Sequence, residues 1–148
     1  MVGLLDDRYN ISSLFRFFVQ TLTVLFLCNL SDLFFLFDNN FLDYFLVIFS
    51  FFTGLAIINF INFMDGIDGL VTGCMIIVLS TIAFQSEPSL WPLIGSLIGF
   101  LFLNWYPAKI FMGDVGSTFL GAIYFGSLLQ SDSWNQAIGL LLISSPLL

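Results

Sequence analysis

Histidine is absent from the 148 residues, and lysine and arginine together number three: Arg8, Arg16 and Lys109. The first absence excludes any His-based metal site or general base supplied by this chain. The second excludes a nucleic-acid interface, which needs a basic patch. Cysteine occurs twice, at Cys28 and Cys74, each inside an apolar run, so the pair reads as packing residues and not as a disulfide or redox couple. Charged residues make up 9%, against about 25% in soluble domains. The opening "MVGLLDDRYN" lacks the basic region and apolar core of a secretory signal. Neither a low-complexity tail nor a repeat of fixed period is found.

What is present is apolar. Hydrophobic residues make up 59%, with 20 phenylalanines, a composition that on a soluble protein would expose aggregation-prone patches. The expected fold is therefore all-α, a polytopic transmembrane helix bundle. Since a spanning helix needs about 20 mostly apolar residues, six spans are predicted: 14–30, 41 to 59–63, 70–85, 90–106, 117–130 and 136–148. Between the first two, "SDLFFLFDNN" suits a short interfacial helix or an extension of the first span.

If all six cross, alternation puts "GLLDDRYNISS", "NFMDGIDGL" and "YPAKIFMGDVGS" on one side. All three basic residues fall on or beside that side, which the positive-inside rule makes cytoplasmic. The opposite loops carry Asp32, Asp38, Asp43, Glu87 and Asp132, without Asp-Asp or Asp-Gly patterns, and read as solvated loop residues.

The same-side segments could carry chemistry. Asp6 and Asp7 are adjacent carboxylates whose repulsion a divalent cation or a shared proton relieves; a solvated turn is the plainer alternative. In "NFINFMDGIDGL", Asn59, Asn62, Asp65 and Asp68 recur at every third residue. Each such step drifts about 60° around a helix, so the four wind as a polar stripe unless Gly66 and Gly69 break it. Polar groups at the end of a span are costly unless they meet a cavity or partner; helix caps are the alternative. A calcium loop of the EF-hand type is excluded, because Ile76 stands where its last ligand, a Glu, would be. In "NWYPAKIFMGDVGSTFLG", Pro107 ends a span, Lys109 supplies a cation, and Asp114 lies between Gly113 and Gly116. A helix starting near Ser117 would aim its positive end at an anion; a tight turn with an N-capping hydroxyl fits equally. The P-loop order of residues is missing.

These three stretches, "GLLDDRYNISSLFRFFVQ", "NFINFMDGIDGLVTG" and "NWYPAKIFMGDVGSTFLG", resemble in order and content the cytoplasmic motifs of the polyprenyl-phosphate N-acetylhexosamine-1-phosphate transferases, glycosyl transferase family 4. The resemblance spans nearly the whole chain, and "GLLDDRYNIS" looks more like the GlcNAc-1-phosphate transferase branch than the muramoyl-pentapeptide branch. It implies that a polyprenyl phosphate attacks the β-phosphorus of a UDP-N-acetylhexosamine and releases UMP, with Mg²⁺ (or Mn²⁺) as cofactor, at the cytoplasmic face of the plasma membrane, for cell-wall or surface-polysaccharide assembly. By carry-over Asp6, Asp7, Asp65 and Asp68 are catalytic, Asn59, Asn62 and Lys109 bind substrate, and Asp114 is the metal ligand. The partners implied are the nucleotide sugar, the lipid phosphate and the membrane; a homodimer is left open.

Members of the family are longer, with spans before the acid pair and a later loop rich in His or Arg. Residues 1–148 are therefore expected to be one integral-membrane domain truncated at both ends. Two other readings stay open: a non-catalytic membrane fragment of the same fold, and an ion- or proton-coupled transporter subunit with Asp65 and Asp68 near the midplane.

Overall fold

The computed structural model describes residues 12–31, 41–131 and 133–144. Asp6, Asp7 and the "SDLFFLFDNN" stretch from its second residue onward lie outside these. The described residues form helices only: α1 (Ser13–Leu30), α2 (Phe41–Met64), α3 (Leu70–Gln85), α4 (Trp91–Asn104), α5 (Gly113–Leu129) and α6 (Trp134–Ser144), with a 3-10 turn at Pro88–Leu90 before α4. Each apolar run of the sequence corresponds to one helix.

The breaks between helices have local causes. Gly69, at φ 72°, takes the left-handed conformation that glycine adopts without steric penalty, and α3 starts at the next residue. Pro88 stands where α3 has ended and the 3-10 turn begins. Pro107 cannot continue a helix, and α4 stops at Asn104. One boundary differs from expectation. The last but one helix begins at Gly113 (φ 67°) and not near Ser117, so Asp114 and Gly116 lie within its first turn.

α2 and α5 form the centre, with α1 laid against both; α3 packs chiefly on α4. The α2–α5 seam is close. A Cβ at Gly121 would stand 2.9 Å from the Ile58 Cα, and one at Gly54 would stand 2.6 Å from the Phe125 ring. Small residues at such seams let helix backbones approach where lipid leaves no hydrophobic gradient to drive association. Val24, Ile58, Ile61, Met75, Leu79, Ile82 and Tyr124 fill the interior. Many large apolar side chains face outward, among them Phe18, Phe26, Phe52, Phe84, Phe102 and Phe119. That outward face suits lipid contact. Ser13–Leu30 and Tyr44–Met64 are long and apolar enough to cross a membrane; α3 and the segment Pro88–Asn104 are apolar but shorter.

Candidate active site at one end of the bundle

The start of α1, the end of α2 and the start of α5 meet at Asp114. Its carboxylate is 33% exposed and accepts from two helices. Arg16 Nη1 of α1 is 2.8 Å from Oδ2, an ion pair. Asn62 Nδ2, two residues before the end of α2, donates to Oδ1 at 2.8 Å and to Ser117 Oγ at 2.9 Å. Ser117 is fully buried and donates in turn to the Gly113 carbonyl at 3.0 Å. Thr118 Oγ1 donates to the Asp114 carbonyl. The α5 macrodipole presents its positive end to this carboxylate, because Asp114 lies in the first turn.

A second polar cluster lies where α3 starts and α4 ends. Asn104, only 5% exposed, accepts on Oδ1 from the Gly69 N–H at 3.2 Å and the Thr72 hydroxyl at 2.8 Å. Its Nδ2 donates to the Ile110 carbonyl at 3.0 Å. Asp68 Oδ2 accepts the Ala108 N–H at 3.0 Å. The turn after α2 and the loop before α5 are thus tied directly to each other.

The expected site residues sort as follows. Asn62 and Asp114 are brought into contact. Asp65 stands in the turn directly after α2, its N–H bonded to the Asn62 carbonyl at 3.3 Å, and Asp68 lies in the same turn. Lys109 is exposed in the loop before α5, its N–H donating to the Leu103 carbonyl at 2.8 Å. Asn59 is exposed and turns back onto its own helix, donating to the Leu55 carbonyl at 2.8 Å. The three-residue step therefore separates Asn59 from Asn62, as the drift around the helix requires. Asp65 follows the end of α2 and Asp114 lies in the first turn of α5.

Sequence reasoning left two residues without a role. In the sequence alone Arg16 counts only as a topological charge, and Asn104 has no assigned role. Both had a usable signal, a strongly polar side chain at the end of an apolar helix, which calls for a partner. Among the described residues no three His, Cys, Asp or Glu side chains gather into a protein-only metal cage. The carboxylates described at this end are those of Asp65, Asp68 and Asp114, and the Asp114 oxygens are engaged by Arg16 and Asn62.

Comparison with known proteins identifies the family. The family model of glycosyl transferase family 4 matches residues 1–132. A probable undecaprenyl-phosphate N-acetylglucosaminyl 1-phosphate transferase of Bacillus subtilis is 35% identical over the whole of this chain, which covers 45% of that relative. A phospho-N-acetylmuramoyl-pentapeptide-transferase of Prochlorococcus marinus is 40% identical over 96 residues, 57% of this chain and 26% of the relative. The corresponding protein of Listeria welshimeri is 41% identical over 102 residues, 63% of this chain and 32% of the relative. The chain thus spans less than half the length of these relatives. No solved structure matches it.

Proposed function

The chain belongs to glycosyl transferase family 4, and from that premise we propose that it transfers an N-acetylhexosamine-1-phosphate from a UDP-sugar to polyprenyl phosphate. An oxygen of the lipid phosphate attacks the β-phosphorus. The bond from that phosphorus to the oxygen bridging the α-phosphorus breaks, and UMP leaves. The products are UMP and a polyprenyl-diphosphate sugar, a precursor for cell-wall or surface-polysaccharide assembly. The observation that carries this reading is the Arg16–Asp114–Asn62–Ser117 network, assembled from three helices at one end of an apolar bundle.

Each residue has a task in this scheme. Asn62 fixes the Asp114 carboxylate, and Asp65 and Asp68 follow it in the turn that faces the nucleotide and its diphosphate. Asn59 lies one turn earlier on α2, at the outer margin of that cradle. Arg16 and Lys109 supply positive charge toward phosphate oxygens. Asp6 and Asp7, from the motif that precedes α1, stand by the lipid phosphate, one of them taking its proton. Mg²⁺ (or Mn²⁺) would be held by Asp114 and would supply neutralisation of diphosphate charge. Direct attack is favoured over a covalent aspartyl intermediate, because the lipid phosphate is already a nucleophile and needs only charge stabilisation.

In this reading the bundle is one integral domain of the plasma membrane, with this end cytoplasmic. Arg16 and Lys109, the basic residues among those described, both lie at the site end, as the positive-inside rule asks. The test is an exchange assay. Membranes holding the chain, undecaprenyl phosphate, Mg²⁺ and UDP-GlcNAc should exchange labelled UMP into the nucleotide sugar. Absence of exchange with every UDP-N-acetylhexosamine supplied overturns the proposal.

A further inference from the structure

One residue that joins separate segments at this end is not used by the proposed reaction. Asn104 closes α4 and is buried. Its Oδ1 serves Gly69 and Thr72, at the close of the Asp65–Gly69 turn and the start of α3, and its Nδ2 serves Ile110, in the loop between α4 and Asp114. The neighbouring Leu103 carbonyl accepts the N–H groups of Lys109 and Ile110 at 2.8 and 3.4 Å. Asp68 accepting the Ala108 N–H is a further tie between the same two segments. Both loops therefore hang from one turn of α4.

We propose that Asn104 is a positioning residue that holds the Asp65–Gly69 turn and the Trp105–Met112 loop in one fixed relation, so that groups on both reach a single nucleotide-diphosphate ligand. The identity of that ligand rests on the transferase reading; the tie itself does not. The side chain is chosen for its chemistry. One end must accept twice and the other must donate, which an amide does and which neither a carboxylate nor an apolar side chain can do. An apolar replacement would leave the buried Gly69 N–H and Thr72 hydroxyl, and the part-buried Ile110 carbonyl, short of a partner.

Asn104→Asp separates this role from bulk. As a carboxylate it still accepts from Gly69 and Thr72 but sets oxygen against the Ile110 carbonyl. Protonated, it regains a donor and mimics the amide. Burial favours the protonated form. Its direct partners are uncharged, and Asp65, Asp68, Tyr106 and Lys109 are the titratable groups on the two loops it joins. Amide hydrogen exchange in detergent micelles, each variant compared with wild type at the same pH, reads the tie without any ligand. At about pH 8 residues 69–73 and 108–112 should exchange together about tenfold faster than wild type, with the far half of α3 unchanged. At about pH 5 both should return to the wild-type rate. Under the alkaline condition the Kd for UDP-GlcNAc should rise about tenfold, the scale expected when positioned groups are loosened.

Acceleration confined to one segment, no acceleration, or an unmoved Kd in the presence of loosened loops overturns the proposal. A wild-type chain that binds no UDP-N-acetylhexosamine overturns the transferase reading instead, while hydrogen exchange still decides the tie. If Asn104→Asp does not fold, Thr72→Val removes one bond by replacing the donor hydroxyl with a methyl group. It should then accelerate both segments by a smaller factor, and equal protection in wild type and variant would contradict the tie.

Discussion

The two ends of this bundle hold polar atoms in different ways. At the site end, side chains reach across helices: Arg16 and Asn62 to Asp114, Asn62 to Ser117, Asn104 to Thr72. At the opposite end the hydroxyls serve backbone carbonyls, one across helices and one within its own helix, and not other side chains. Ser31 Oγ donates to the Leu129 carbonyl at 2.8 Å and Ser127 Oγ to its own helix at Ile123. The Ser131 hydroxyl is buried with no partner among the described residues. An apolar groove opens there between α2, α5 and α6, walled by Phe49, Phe125, Leu128 and Trp134 among others. Both ends sit on the same helices, so the difference reflects demand. Apolar packing tolerates change as long as volume is kept, whereas a buried polar network tolerates the loss of a member poorly.

That contrast can be broken in graded steps. Asp114→Asn should cost most, lowering UMP exchange by about 10²–10³-fold while the helical circular dichroism of the chain stays unchanged. Asn62→Leu comes next. It removes the donor to both Asp114 and Ser117, and exchange should fall by about 10–100-fold, from an unsatisfied-group cost of about 1–3 kcal/mol. Gly121→Ala acts on the shared scaffold. Its new Cβ meets the Ile58 backbone at 2.9 Å, so a thermal melt in detergent should show a loss of about 1–3 kcal/mol by overpacking. Smallest is the comparison of matched serines. Ser117→Ala should destabilise by about 1 kcal/mol, whereas Ser131→Ala, which removes an unpartnered hydroxyl, should be neutral or slightly stabilising. Equal effects of the two serine changes would erase the distinction between the ends.

Much of the scaffold was legible because apolar runs and their Gly and Pro breaks are local signals. Each predicted run is a helix, and α4 ends near its proline as expected. The start of α5 was misplaced because Gly113 supplies the turn that Ser117 was expected to cap, leaving Ser117 to accept from Asn62. The meeting of Asn62 with Asp114 was legible as a motif but not as a distance, since the partners lie 52 residues apart. Arg16 lies 98 residues from Asp114, and Asn104 lies 35 from Gly69. Helical periodicity reports which face of a helix a residue occupies, not which other helix packs there, so these partnerships emerge only from the tertiary arrangement.

The most direct test of the central claim is equilibrium binding of UDP-GlcNAc, with Mg²⁺ present, to wild type, Asp114→Asn and Ser131→Ala in lipid nanodiscs. The account predicts that wild type and Ser131→Ala bind alike and that Asp114→Asn loses binding by about tenfold or more. Equal binding by all three, or loss caused by the Ser131 change in place of the Asp114 change, would contradict it.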